Sequence, residues 1–135
     1  MRALRPLTLN EKFLNALADE IVKRFSDKKI EVLSFQDSID LAVCEKFARI
    51  LYKKGLENVE VIKGLSVNEV FKKISDLEFL IGMRFHANVV AIKSGVKALA
   101  INYDIKVKKL ADEYNLPLIE LKQTDFSKEF NSLLD

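Results

Sequence analysis

Arg84 and His86, two residues apart in the run Gly82-Met83-Arg84-Phe85-His86, are the pair in this chain best suited to chemistry, and His86 is its only histidine. A guanidinium presents a planar fork of donors that matches a carboxylate or a phosphate. An imidazole is the side chain that most readily gives or takes a proton near neutral pH. Gly82, with no Cβ, permits a sharp turn and the close approach of a ligand. A helix beginning near Phe85 would aim free N–H groups and the positive end of its dipole at the same point. The combination describes the binding of a small anion followed by proton transfer. Plainer readings stand beside it: a histidine that caps or packs a helix, and an arginine that neutralises Asp76 or Glu78. Met83 and Phe85 read most simply as core, and Lys106, Lys108 and Lys109 as a solvated helix face.

Other chemistries lack their residues. There is no Gly-x-Gly-x-x-Gly and no phosphate-binding loop of the nucleoside-triphosphate type. No Ser, His and Asp order suits acyl transfer, and one histidine with one cysteine supplies no metal-ligand set. The 22 Lys and Arg against 20 Asp and Glu leave a net charge of +2, and the basic residues are scattered among acidic ones, so no nucleic-acid footprint is expected. No stretch approaches the roughly 20 apolar residues of a membrane span, and the opening segment lacks the apolar core of a signal peptide. The expected location is the cytoplasm, with the inner face of the membrane as a variant. Cys44, alone in an apolar helical pattern, reads as a buried structural thiol.

These residues need a scaffold, and the hydropathy pattern outlines one. Helical periodicity runs over residues 10–24, opened by the capping-box pattern Thr8-Leu9-Asn10-Glu11. Further helices are expected at about 39–52, 66–74, 85–93 and 105–114, with a last one from about Phe126. Between them lie short β-rich runs at 30–33, 59–62, 79–81, 98–101 and 118–121, and Arg2 to Arg5 reads as the end of a strand already under way. That opening suggests a start at a domain boundary. Strand and helix alternate about six times over the chain. The expected fold is α/β, one Rossmann-like doubly wound domain over residues 1–135 with about six parallel strands.

In open α/β sheets ligands bind beyond the carboxyl ends of the strands, where the strand order reverses. With the common order 3-2-1-4-5-6, the first and fourth strands flank that point. Arg5-Pro6 follows the first and Gly82 to His86 follows the fourth, so Arg5 is expected to share a crevice with Arg84 and His86.

The stretch Ile81-Gly82-Met83-Arg84-Phe85-His86-Ala87, then Gly95-Val96, then Tyr103-Asp104-Ile105-Lys106, resembles the signature of the polysaccharide pyruvyl transferases. Arg5-Pro6, the helix start Asn10-Glu11-Lys12-Phe13, and Phe35-Gln36 with a following Asp resemble that family's carboxyl-terminal half. Two departures fall in loops: Lys97 and Ile105 stand where the family has proline. The resemblance implies a glycosyltransferase-B-like enzyme of two Rossmann-like halves, of which this chain is the donor-binding half. It also implies transfer of a pyruvyl group from phosphoenolpyruvate to a sugar as a ketal, with no further cofactor and no metal. Arg84 and His86 are then the catalytic pair. Arg84, Arg5, Gly82 and Phe85 would bind the donor, with Tyr103, Asp104 and Lys106 as further candidates. The acceptor would be a sugar or lipid-linked saccharide of a cell-surface polysaccharide, and the partner an amino-terminal half or a second copy. Two rival readings remain. One is the donor half of a nucleotide-sugar glycosyltransferase, for which Asp104 is the only acid placed to meet a ribose. The other is a non-catalytic domain that binds an anion or a partner subunit.

Overall fold

The computed structural model describes residues 10–135. The strand expected at residues 2–5, and with it Arg5, Pro6 and Thr8, lies outside them. The chain divides into two compact units, with the division between Val67 and Asn68.

In the first unit, α1 (Glu11–Phe25) buries Phe13, Leu14, Leu17, Ala18, Ile21 and Phe25 along one face. This is the i, i+3/i+4 stripe of a helix packed on a core. Its N-cap is Asn10, whose side chain accepts a hydrogen bond from the Phe13 N–H at 2.7 Å. The carboxylate of Glu11, expected in the capping box, instead pairs with Lys46. The hydrogen bond from Lys46, and then its charge, hold the Glu11 carboxyl below the usual carboxylate range. β1 (Ile30–Leu33) and β2 (Val59–Ile62) pair in parallel from Ile30↔Val59 to Leu33↔Ile62. The helix α2 (Asp37–Lys53) connects them and packs on both. It starts two residues before the periodicity suggested, because Asp37 and Asp40 suit the positive end of a helix and serve the loop before it. The buried Asp40 carboxylate accepts from the N–H groups of Phe35 and Gln36 at 3.2 and 3.3 Å. Asp37 accepts from the Ser34 hydroxyl at 2.7 Å and from the Gly64 N–H at 3.0 Å. Thus the polar run that resembled the family, Phe35-Gln36-Asp37, ties the loops after β1 and β2 together. Cys44 is buried on α2, its thiol 3.5 Å from the Leu33 carbonyl.

The second unit begins within α3 (Val67–Ser75) and continues through β3 (Phe79–Gly82), α4 (Phe85–Ser94), β4 (Lys97–Ile101), α5 (Ile105–Tyr114), β5 (Leu118–Ile119) and α6 (Ser127–Leu134). Its three strands are parallel in the order β3-β4-β5. The central strand β4 is buried from Ala98 to Ile101, which is why it reads as a continuous apolar run. α4, α5 and α6 all pack on β4. Gly95 and Asn115 end α4 and α5 in the left-handed conformation, where glycine and asparagine carry the smallest steric penalty. β5 stops at Ile119, short of the expected Leu121: the Glu120 N–H already donates to the Gln123 side chain at 2.6 Å.

Among the described residues the chain is therefore mixed α/β, with six helices and two small parallel sheets of two and three strands. One sheet of about six strands is not shown. The order within each sheet, β1-β2 and β3-β4-β5, is the expected one.

Candidate functional site

β3, β4 and β5 run parallel, so their carboxyl ends share one edge of the sheet. Gly82 is level with Ala100, and Ile101 with Ile119. The segments that leave this edge are Met83 to His86, Asn102 to Lys106, and the turn at Glu120. Arg84, His86, Tyr103, Asp104 and Lys106 are thus placed at one edge of one sheet. Arg5 lies outside the described residues.

The turn from β3 into α4 is built around a residue that the sequence pattern does not single out. Asn88 is fully buried in the first turns of α4. Its side-chain Nδ2 donates to the carbonyls of Gly82 and Arg84, each at 3.0 Å. Gly82 is not one of the chain's positive-φ glycines. Its role is steric, since a Cβ there would lie 2.9 Å from both Nδ2 and Oδ1 of Asn88 and 3.0 Å from Cδ2 of Leu80. On the side where a Cβ would project, the Asn88 amide is the neighbour. The signal in the sequence was a single polar residue amid Ala87, Val89, Val90 and Ala91.

Arg84 is the N-cap of α4, with extended backbone at φ −81° and ψ 139°. A guanidinium has donors only, so it makes no cap bond to the helix amides. α1 and α5 differ here, since Asn10 and Asp104 cap them with side-chain oxygens. The first turn of α4 also carries no acidic residue to offset its dipole. Its amino end therefore presents N–H groups and a half-buried arginine together, which is favourable for an anion. His86, the second residue of the helix, is exposed on this turn. Its ring meets the Phe85 ring edge-on, with centroids 5.3 Å apart and planes at 86°. Phe85 itself packs against Ala100, Val107 and Ala111, so its observed role is to seat the turn on the core.

The neighbouring candidates divide. Asp104 is the N-cap of α5 and accepts from the Lys106 N–H at 3.0 Å. This engagement weakens the case for a ribose-binding acid. Replacing Asp104 by Ala is expected to cost about 0.5–2 kcal/mol of stability in denaturant unfolding, with little change in anion affinity. A large affinity loss at unchanged stability would return Asp104 to the binding site. Tyr103 is half-buried, and its backbone N–H donates to the Ile101 carbonyl at 2.8 Å. Lys106 is exposed. Lys108 pairs with Asp112 at 3.6 Å along the solvated face of α5. Asp76 holds Lys72 at 3.1 Å. A link across the edge that the sequence had not suggested joins Asn102 to the Glu120 carboxylate at 2.8 Å.

No group of three or more His, Cys, Asp or Glu among the described residues is arranged to hold a metal ion, and no helix among them is long and apolar enough to cross a membrane. Neither a curated protein nor a solved structure matches the chain. The family model described as polysaccharide pyruvyl transferase matches residues 3–105 of the 135, a span that includes Gly82, Arg84, His86 and Asn88 and ends on the first residue of α5. By that match the chain belongs to the polysaccharide pyruvyl transferase family.

Proposed function

We propose that this chain is the donor-binding half of an enzyme that transfers a pyruvyl group from phosphoenolpyruvate to a sugar of a polysaccharide as a ketal, acting in the cytoplasm as one Rossmann-like half of a glycosyltransferase-B-like architecture. The observation that carries this reading is the amino end of α4, where Arg84 is the N-cap, His86 is the second helical residue and the first turn holds no acidic residue. Phosphoenolpyruvate brings a carboxylate and a phosphate to such a place. The guanidinium fork and the free helix amides suit both groups, and Arg5 is proposed as a second donor-binding arginine.

The chemistry follows from the donor. His86 delivers a proton to the methylene carbon, which becomes the methyl group and leaves the adjacent carbon electron-poor. One sugar hydroxyl adds to that carbon, and the phosphate leaves with the bridging oxygen. The second hydroxyl closes the ketal. The two hydroxyls give up two protons in all, one balancing the new methyl hydrogen and one the released phosphate. Arg84 and the helix end stabilise negative charge on the departing phosphate. The acceptor is a sugar, free or lipid-linked.

Calorimetric titration of the chain with phosphoenolpyruvate, inorganic phosphate and a nucleoside diphosphate sugar separates this reading from its glycosyltransferase rival. Phosphoenolpyruvate is expected to bind most tightly, because it engages the site through two anionic groups. Tighter binding of the nucleoside diphosphate sugar would overturn the assignment.

A further inference from the structure

We propose that Asn88 is the positioning residue of the donor site, holding the guanidinium of Arg84 and the first helix amide of α4 in their anion-binding directions; this rests on the reading of Arg84 and His86 given above. The side chain is fully buried and donates to two backbone carbonyls that bracket the turn, those of Gly82 and Arg84. Fixing both carbonyls fixes the two peptide planes between which Met83 and Arg84 rotate. A peptide unit is planar, with its C=O and N–H pointing in opposite directions. Clamping the Arg84 carbonyl inward therefore turns the Phe85 N–H outward, toward the amino end of the helix. The same clamp sets the direction in which the Arg84 side chain leaves the backbone.

Packing alone does not explain an asparagine here. Its Oδ1 is buried with no hydrogen-bond partner, a cost that a leucine in the same apolar helix face would not incur. Turning the amide over would remove none of that cost, because it would place Oδ1 against two carbonyl oxygens. Gly82 completes the device. A Cβ on Gly82 would stand 2.9 Å from both amide atoms, too close for either to stay where it is. Gly82 and Asn88 thus form an interlocking pair, and neither residue can change without disturbing the other.

The test uses the 135-residue chain, phosphoenolpyruvate titration and thermal unfolding. Asn88→Ala, and the isosteric Asn88→Asp, which replaces both N–H donors by oxygen, are expected to weaken phosphoenolpyruvate binding about 10- to 100-fold through misdirected donors. Ala91→Gly, which loosens the buried middle of α4 without touching the turn, should lower the unfolding temperature yet leave that affinity unchanged. Gly82→Ala should weaken binding in the wild-type background and add little further loss in Asn88→Ala, since the obstructing amide is then gone. If the wild-type chain binds phosphoenolpyruvate and both Asn88 variants bind it equally well, the positioning role is wrong. It is equally wrong if Ala91→Gly loses as much affinity as they do, or if the Gly82 and Asn88 effects simply add. Absence of binding by the wild-type chain would instead overturn the donor-site reading itself, and the positioning role with it.

Discussion

Arg84→Ala is expected to reduce phosphoenolpyruvate affinity by about 10²–10³-fold, the loss of two charge-assisted hydrogen bonds at about 1.5–3 kcal/mol each with partial compensation from solvent. Neither arginine nor alanine can accept a bond from the helix amides, so the capping of α4 is the same in both proteins. The change in affinity then reports on the guanidinium and not on the helix end. Lysine should rescue poorly, because it restores charge without the planar fork. Isothermal calorimetry on the wild type, Arg84→Ala and Arg84→Lys would read all three. Unchanged affinity in Arg84→Ala would make Arg84 a structural residue of the β3–α4 turn and remove the anchor of the proposed site.

His86→Gln should leave donor affinity nearly intact while slowing turnover about 10²–10⁴-fold, the range associated with loss of a general acid. Glutamine keeps a donor at a similar reach but cannot release a proton to carbon. His86 stands exposed on the first turn of α4, with its ring edge-on against Phe85, so the substitution removes no core packing. Turnover is read as phosphate released from phosphoenolpyruvate in the presence of a sugar acceptor. Near-normal turnover in the variant would reduce His86 to a phosphate contact and assign the proton to solvent or another chain. A fall in affinity as large as the fall in turnover would make it a binding residue.

Much of this organisation was legible in the order of the residues. Helix α5 was expected over residues 105–114 and spans Ile105–Tyr114, because its apolar stripe, its Asp104 cap and its Asn115 stop agree. For α4 the strand stop at Gly82 and the helix stop at Gly95 put its start at about Phe85, and hence Arg84 and His86 at its amino end. Local signals of this kind need no knowledge of distant contacts, and they sufficed to bring an arginine, a histidine and a helix end to one place. Family membership was legible for a similar reason, since the run Gly82 to Ala87 carries its resemblance within a few consecutive residues.

What depended on contacts between elements was not legible. Asp37, Asp40 and Asp104 look alike as acids, yet the fold engages them respectively with a neighbouring loop, with the backbone before α2 and with a helix end. Which acid remains available to a ligand is decided by which backbone N–H groups the fold brings to it. The steric reason for Gly82 was likewise not legible in the sequence. Steric demand at a residue without a side chain is set by its neighbour across the turn, and here that neighbour is Asn88, six residues on. Sequence periodicity registers Asn88 only as a polar interruption of an apolar face. Its two hydrogen bonds exist because β3 enters α4 through a turn tight enough to bring both carbonyls to one amide, a distance relation that only the tertiary structure determines.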